Sequence, residues 1–327
     1  MLMITLRKVM QGVLLTGGVV AAAISSGQSY PTKPIRFIVP QAAGGSTDIL
    51  SRTVGQKLSE AFGQPVVMDN RPGANGIVGT EMVAKAPADG YTLVAGGTST
   101  VAINSSLYSK IPYDPIKDFT PVVNLAYSTS VLVVHPSVAA KTIADVIAMA
   151  KAKPGELRYA SAGNGSSPHL SAEVFKMMAG VNVVHVPYKG STPGVIATVS
   201  GETSMMFTGV ASALAHIKAG RLRALSVNGP KRSPALPEIP TAGSSGLPGF
   251  EVDFWIGMLA PAGTPGAVVT KLNTEVNRIL AQEDIKTRFV ALGTDIIGGS
   301  VQSFADQIKS DVARWGKAIK ASGAKAD

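Results

Sequence analysis

The chain has 327 residues, of which 45% are apolar and 16% are charged, and it contains no cysteine. That length suits two domains of about 150 residues, and the lack of cysteine excludes disulfides, thiol catalysis and a cysteine-linked lipid anchor. The formal net charge of +9 favours encounters with anions. Nucleic acid is not an expected partner, because the basic residues are scattered and only 6% of the chain is aromatic.

The N-terminus has the pattern of a secretory signal. Arg7 and Lys8 precede an apolar segment, residues 9–24, and small residues suited to cleavage follow it. A membrane anchor is the alternative, but polar residues and glycines interrupt the segment, which falls short of about 20 strongly apolar residues. We therefore predict a cleaved Sec signal peptide over residues 1–28 and a secreted mature protein.

Three apolar runs in the first part of the chain each end at a turn and lead into a helical pattern. They are residues 35–40, 66–70 and 91–95. Successive strand–helix units predict a parallel sheet. A longer extended stretch follows at residues 119–135, where the polar residues 127–130 interrupt the apolar run. We predict that the chain crosses into a second lobe there.

A second series of strand–helix units follows the crossing. Its predicted strands are residues 157–162, 183–187, 204–208 and 222–228. The segment 230–248 is rich in Pro, Gly and Ser and has no periodicity. It is typical of a connector, through which the chain would return to the first lobe.

Two further elements complete the first lobe. Residues 250–261 predict another strand, and Thr264 followed by Pro265 is typical of a helix start, with Pro at the first helical position. Near the C-terminus an apolar stripe recurs at helical spacing and predicts a core-facing helix. The stripe consists of Phe304, Ile308, Val312, Trp315 and Ile319.

The predicted architecture is α/β with two lobes, each a mostly parallel sheet flanked by helices. Residues 29–127 plus 233–327 would form the first lobe and residues 128–232 the second, with a ligand cleft between them. Ligands of parallel sheets bind beyond the carboxyl ends of the strands, so the Gly/Ser/Thr/Asn loops found there should face one cleft. Residues 127–130 and 228–233 would then serve as hinges.

The loop QAAGGSTD, residues 41–48, is the first candidate for ligand contact. Gly44 allows a positive φ and close approach of a ligand to the backbone. Ser46, Thr47 and Asp48 can each cap the following helix, and Asp48 could alternatively pair with the ammonium group of an amino-acid ligand. No lysine follows the glycines, which argues against a nucleotide phosphate loop.

The loop NRPGANG, residues 70–76, offers two candidates. Arg71 could clamp a carboxylate, but a residue before proline is held extended, and we favour a structural role for Arg71. Asn75 is the better candidate for ligand contact.

The loop SAGNGSS, residues 161–167, opens a predicted helix. Ser167 is the expected N-cap, which leaves Asn164, Ser166 and free backbone amides as a seat for an anion. His169 lies in the first helical turn, where the helix dipole disfavours an imidazolium, so we expect a neutral imidazole that forms hydrogen bonds.

Signals of catalysis and of cofactors are weak. The chain has no GxSxG elbow and no HExxH motif, and its four histidines show no metal-ligand spacing. A serine triad needs no adjacent residues and stays open as an alternative. We expect no enzyme activity, no metal and no cofactor.

Seven segments, in this order, are similar to one protein family: VPQAAGGSTDILSR, DNRPGANGIVGTEMVAKAPADGYTL, DFTPV, RYASAGNGSSPHLSAEVF, VPYKGSTP, HIKAGRLRALSV and LPGFEVDFWIGMLAPAGTP. From about residue 30 to residue 323, the chain resembles the Bug-type periplasmic solute receptors of tripartite tricarboxylate transporters. The resemblance implies a Venus-flytrap, type II-like periplasmic-binding-protein fold. It also implies a carboxylate ligand held by main-chain groups, hydroxyls and water rather than by salt bridges.

The resemblance also implies a set of ligand contacts from both lobes. They are Ala43, Gly44, Ser46, Thr47, Asp48, Asn75, Thr98 and Ser99 in the first lobe, and Asn164, Ser166, Ser167, His169 and Thr208 in the second. Two positions depart from the family pattern. Gln41 and Ala42 stand where relatives often have an aromatic residue or proline, and Thr208 stands where an Asp is common. A wider, less acidic pocket follows, which favours a dianionic or aromatic carboxylate over an amino acid.

We therefore expect a monomeric receptor that captures a small organic carboxylate and delivers it to the membrane permease subunits of a tripartite tricarboxylate transporter. A receptor that signals to a two-component sensor kinase is the alternative. An extracellular hydrolase is a third possibility.

Overall fold

The computed structural model describes residues 30–322, so the predicted signal peptide lies outside the described residues. The strands are β1 (Ile35–Val39), β2 (Val66–Asn70), β3 (Thr92–Gly97), β4 (Phe119–Val134), β5 (Arg158–Ser161), β6 (Val184–Pro187), β7 (Met205–Gly209), β8 (Arg223–Val227), β9 (Asp253–Pro261) and β10 (Thr294–Gly298). The α-helices are α1 (Ser46–Phe62), α2 (Ile77–Ala84), α3 (Asn104–Leu107), α4 (Ile143–Ala152), α5 (Ser167–Ala179), α6 (Ser191–Val199), α7 (Val210–Lys218), α8 (Gly266–Leu280), α9 (Glu283–Ala291) and α10 (Val301–Ser322). A π-helical turn spans Thr98–Ile103, and 3₁₀ turns span Ala74–Gly76 and Gly243–Ser245.

The first lobe is built on a sheet in which β1 lies between β2 and β3, all parallel. Strand β9 pairs antiparallel with β3 and with the first part of β4, and β10 also pairs antiparallel with β4. In β1, Phe37 and Ile38 are both fully buried although they point to opposite faces. Both faces of this sheet are therefore covered, as is usual for parallel sheets.

The second lobe repeats this plan. Strand β5 lies between β6 and β7, all parallel, and the second part of β4 pairs antiparallel with β7 and β8. Phe175 and Phe207 of its core have ring centroids 5.4 Å apart, and Phe250, from the segment that leads back to the first lobe, packs against both at 6.3 and 5.6 Å. The two-lobed α/β fold expected from the sequence is confirmed.

Strand β4 joins the two lobes without a break. The polar residues 127–130 interrupt the apolar run but not the strand, because they are paired on the strand's edges: Ser128 lies opposite Phe254 of β9, and Ser130 lies opposite Gly209 of β7. The partner strand changes within this stretch. The sequence showed the polar residues but not the neighbours that satisfy their backbone groups.

Two predicted helix starts differ by one residue from those observed. Ser166, not Ser167, is the N-cap of α5, and its hydroxyl accepts the N–H of His169. Pro265 is the N-cap residue of α8, and the Thr264 hydroxyl donates instead to the Pro261 carbonyl.

The C-terminal apolar stripe packs as predicted. Phe304, Ile308 and Ile319 of α10 are buried, and Trp315 stacks on Phe254 with ring centroids 6.2 Å apart. No helix within residues 30–322 is long and apolar enough to cross a membrane.

Candidate functional site

A cavity of about 60 Å³, the inner cavity, lies where loops and strand ends of the two lobes meet. None of the described residues that line it carries a formal charge. Eleven of the nineteen carry a hydroxyl: Ser46, Thr47, Thr98, Ser99, Ser128, Ser130, Ser166, Ser167, Ser171, Ser191 and Thr208. The walls therefore offer neutral hydrogen-bond donors and acceptors rather than ion-pair partners.

Helices from both lobes begin at the inner cavity. Residues of the first turn or N-cap of α1, α5, α6 and α7 line it, as does the start of the π-helical turn at Thr98. First-turn amides have no acceptor within their helix, and each helix dipole places partial positive charge at this end. Several such ends around one small space favour an anion there.

Thr208 lines the inner cavity with a hydroxyl that lacks a hydrogen-bond partner. Its side chain is only 2% exposed, and its hydroxyl finds no hydrogen-bond partner among the described residues. A buried hydroxyl without a partner costs about 1–3 kcal/mol. A ligand oxygen in the cavity would supply that partner.

Hydroxyl groups of the two lobes also contact each other directly beside the cavity. The Ser99 and Ser167 oxygens are 2.6 Å apart, and the Ser46 and Ser212 oxygens are 3.0 Å apart. The Thr192 hydroxyl donates to the Ala43 carbonyl at 2.7 Å. The lobes are thus closed over the inner cavity.

A second, larger cavity of about 310 Å³, the outer cavity, shares Gln41 and Ala162 with the inner one. Prolines, glycines and two tyrosines form most of its wall, and Tyr108 spans it by donating to the Asn164 carbonyl at 3.0 Å. Among the described residues that line either cavity, Lys189 alone carries a formal charge. The outer cavity is therefore more apolar than the inner one and has one cation in its wall.

The structure brings most of the predicted contact residues to these two cavities. The inner cavity is lined by Ser46, Thr47, Thr98, Ser99, Ser166, Ser167 and Thr208, and the outer cavity by Asn75 and Asn164. The remaining four, Ala43, Gly44, Asp48 and His169, line neither cavity.

Asp48 is buried and braces the first loop. Its carboxylate accepts hydrogen bonds from the Gly44 amide at 2.9 Å, from Asn70 at 2.9 Å and from Arg52 at 3.0 Å. Burial opposes ionisation, but these hydrogen bonds and the Arg52 charge outweigh it and lower the pKa of Asp48. Because its acceptors are engaged within its own lobe, the structure supports the structural interpretation over the pairing with a ligand ammonium group.

The second loop divides its roles between two residues. Asn75 adopts a left-handed conformation, with φ of 50°, and donates to Asn104 at 2.8 Å while facing the outer cavity. Arg71 forms an ion pair with Asp69 at 2.8 Å and does not line either cavity. That placement agrees with a structural role for Arg71.

His169 lies behind the loop of residues 161–167, the third loop. Its Nδ1 accepts the Gly165 amide at 3.0 Å, which requires this nitrogen to be unprotonated. Burial lowers the pKa of His169 below its ordinary value of 6.5. The neutral imidazole expected from the sequence agrees with this geometry.

Several lining residues were missed by the sequence reasoning. They are Gln41, Ser128, Ser130, Ser171, Ser191, Phe254, Trp255 and Ile256 among those of the inner cavity. Ser191 had a detectable signal, because it follows a glycine and opens a helix after a short strand, as in the recognised loops. Residues from β4 and β9 had none, since strand interiors show no loop pattern.

Trp255 links the cavity wall to the C-terminal helix. Its backbone N–H donates to the Thr98 hydroxyl at 3.0 Å, and its indole N–H donates to buried Asp311 at 2.8 Å. Helix α10 therefore fixes the position of the π-helical turn.

Across the part of the chain that the structure describes, no cluster of His, Asp and Glu could hold a metal ion.

Known proteins are similar to this chain over most of its length. Protein BugT of Bordetella pertussis (strain Tohama I) is 35% identical over 315 residues, covering 96% of each chain. The solved structure of Rpa4515 from R. palustris with adipate is 38% identical, has a TM-score of 0.88, and covers 90% of this chain and 98% of that one. MatC from Rhodopseudomonas palustris with bound malate is 31% identical, has a TM-score of 0.84, and covers 89% and 100%.

A family model gives the same result from sequence. Residues 50–324 match the model of the tripartite tricarboxylate transporter family receptor, TctC. That span includes most of both lobes, and the family and the similar structures are those of solute-binding proteins rather than enzymes. The chain therefore belongs to the TctC family of tripartite tricarboxylate transporter receptors, of the Bug type.

Proposed function

We propose that this protein captures a small organic carboxylate in the periplasm and hands it to the membrane permease of a tripartite tricarboxylate transporter. The observation that carries this proposal is the inner cavity, where uncharged hydroxyl walls and several helix N-termini converge. Such a site stabilises an anion through dipoles and hydrogen bonds, and its described lining residues include no carboxylate to pair with a cation. The adipate and malate in the similar structures support a carboxylate ligand.

One carboxylate group of the ligand would lie in the inner cavity. Its oxygens would accept hydrogen bonds from first-turn amides and from the hydroxyls of both lobes, with Thr208 gaining the partner that it lacks. Asn75 and Asn164 would contact the part of the ligand that extends into the outer cavity. Ala43, Gly44, Asp48 and His169 would act by shaping the loops that supply these groups.

Binding would close the two lobes on the ligand. We place the first lobe at residues 29–127 plus 233–327 and the second at 128–232, with hinges at residues 127–130 and 228–233. Asn228 supports this placement, because it is fully buried and joins the crossing segments: its amide N–H donates to the Ser130 carbonyl at 2.8 Å, and its carbonyl accepts from Val252 at 2.7 Å. A signal peptide over residues 1–28 would deliver the receptor to the periplasm.

A thermal-shift screen of the mature protein tests the carboxylate ligand. An organic acid that binds the folded state only should stabilise it by about 2.7 kcal/mol at 100 times its Kd. The screen should include malate, adipate, aromatic acids and neutral sugars at matched ionic strength. Stabilisation by a neutral sugar and by no acid would show that the carboxylate assignment is wrong.

The volume and the walls of the outer cavity favour some classes of carboxylate ligand over others. Its volume and apolar walls suit a chain or ring that continues from the inner carboxylate, and Lys189 offers a cation for a second anionic group. This arrangement supports a dianionic or aromatic carboxylate over an amino acid, since the described residues lining both cavities include no carboxylate for an ammonium group.

Replacing Lys189 by Gln should weaken binding of a dicarboxylate about threefold, because an exposed ion pair contributes roughly 0.2–1 kcal/mol. Adipate and hexanoate, which differ by one carboxylate, should be compared by calorimetry. The loss should appear for adipate and not for hexanoate. Lys151→Gln, which removes an exposed lysine on α4 outside both cavities, is the matched control. Equal losses for both acids would exclude Lys189 as the partner of the second carboxylate.

A further inference from the structure

The third loop is held in shape by its own short hydrogen bonds. The Ser166 hydroxyl donates to the Gly163 carbonyl at 2.6 Å, and the Ser166 amide donates to the same carbonyl at 3.1 Å. Gly163 and Gly165 have φ values of 114° and 73°, a region that side chains disfavour. This conformation presents Ser166 and Ser167 to the inner cavity.

A stack of three rings lies behind the loop. The His169 and His185 centroids are 4.3 Å apart with an interplanar angle of 24°, and His185 and Tyr159 are 4.8 Å apart at 14°. His185 Nε2 lies 2.6 Å from the Ser161 hydroxyl, which also accepts the Gly163 amide at 3.0 Å. The stack is thus bonded to the loop at its start and, through His169, at its centre.

The Gly165 amide is the critical contact. Gly165 is buried, and its amide donates to His169 Nδ1. This nitrogen accepts a hydrogen bond only while it carries no proton. If that nitrogen is protonated, two N–H groups face each other and the hydrogen bond is lost. The loop conformation then loses its central tie to α5.

We propose that His169 is a positioning residue of the carboxylate site, whose unprotonated Nδ1 holds the third loop in its binding conformation, so that mild acid weakens ligand binding. This inference rests on the proposed function. It assigns His169 a role through Gly165 rather than a contact with the ligand, because its ring lines neither cavity.

The charged and titratable groups around the two imidazoles set the direction of the effect. Tyr159 of β5 and Glu173 and Lys176 of α5 face them: Glu173 Oε1 accepts from the Tyr159 hydroxyl at 2.7 Å and from Lys176 at 2.8 Å. His169 Nε2 lies 3.9 Å from the same oxygen. Glu173 favours a proton on the histidines and Lys176 opposes it, but burial is the largest influence and lowers both pKa values, that of His185 to about 4.

The sign of the pH dependence follows from these directions. The pKa of His169 in the folded protein lies below 6.5, so the imidazole is neutral at pH 8 and gains a proton only as the pH falls below that value. Because the binding conformation requires the neutral form, protonation favours the ligand-free state. Affinity should be constant from pH 8 to about 6.5 and should fall below it.

The test compares three proteins with adipate and malate as probes, by calorimetry from pH 8 to pH 5. The wild type should lose affinity as the pH falls through this range, by up to about tenfold, which is the contribution of one hydrogen bond to a loop amide. His169→Asn keeps an acceptor near the Nδ1 position but does not titrate, so its affinity at pH 8 should stay within about threefold of wild type and its profile should show only the protonation of the acid itself. His135→Asn, which changes a histidine bonded to Ser137 outside both cavities, should keep the wild-type profile.

The ¹⁵N chemical shift of the Gly165 amide distinguishes the proposed role of His169 from a purely structural one. Its ¹⁵N chemical shift should titrate with the midpoint of the affinity change in the wild type and should not titrate in His169→Asn. A wild-type affinity that rises or stays constant on acidification overturns the inference, as does an unchanged pH profile in His169→Asn. If neither acid binds the wild type at pH 8, the comparison uses the best organic acid of the thermal-shift screen, and failure of every acid in that screen overturns the proposed function and this inference with it.

Discussion

Replacing Thr208 by Asp, the residue that is common at this position in the family, should nearly abolish binding at pH 7 of a carboxylate that has no ammonium group. The new carboxylate would lie in a cavity whose described lining residues carry no charge, within reach of the bound anion. Two like charges about 5 Å apart repel by roughly 3 kcal/mol at an effective dielectric constant of about 20. The expected loss is therefore about 200-fold in affinity, measured by calorimetry with the best organic acid of the screen.

Two companion variants separate the charge from the other consequences of changing Thr208. Thr208→Asn has the size of Asp without its charge, and Thr208→Val removes only the hydroxyl; each should lose about tenfold or less, the worth of one hydrogen bond. The loss in Thr208→Asp should also shrink as the pH approaches 4, since the introduced carboxyl then takes up a proton. Equal losses in the Asp and Asn variants would mean that no anion binds near residue 208.

The strands were predictable where apolar runs end at turn residues. Strand β2, Val66–Asn70, coincides with the predicted run, and β1 differs from it by one residue. Both strands pair within their own lobe, and β1 is largely buried there, so the local pattern carries enough information. The polar stretch 127–130 lacks this local pattern, because its strand conformation is set by pairing with β7, β9 and β10, which come from distant parts of the chain.

The residues of the candidate site also fall into two groups, those that the local sequence indicates and those that depend on strand pairing. Loop residues such as Ser46 and Ser166 were visible, because a glycine-rich turn before a helix has a recognisable sequence. Ser128, Ser130 and Trp255 were not, because they reach the inner cavity only when strands β4 and β9 pair. The role now proposed for His169 also required the fold, since the Gly165 amide reaches its Nδ1 only through the left-handed conformation of the loop, and its stacking on His185 depends on how α5 lies beside β6.

A side chain added at Gly209 should block closure of the lobes and leave the folding of each lobe intact. Gly209, the N-cap of α7, has φ of −64° and ψ of 140°, which any residue adopts without strain. A Cβ there would overlap the Ser46 hydroxyl of the first lobe and would lie 2.7 Å from that of Ser128. In Gly209→Val the overlap with Ser46 arises only when Ser46 closes onto the second lobe, whereas Ser128 belongs to the same lobe as Gly209 and its hydroxyl can rotate to another χ1 rotamer.

Overpacking of this kind costs about 1–3 kcal/mol, and here the cost falls on the closed state. Affinity for the carboxylate should therefore drop by about 5- to 150-fold, while the melting temperature without ligand stays near that of wild type. Solution scattering should show that saturating ligand compacts the wild type but not Gly209→Val. Gly266→Val places the same side chain in open space at the start of α8 and should behave like wild type. If Gly209→Val bound and compacted normally, the contact between Ser46 and Gly209 would not belong to the ligand-bound form, and the inner cavity could not be the seat of the carboxylate.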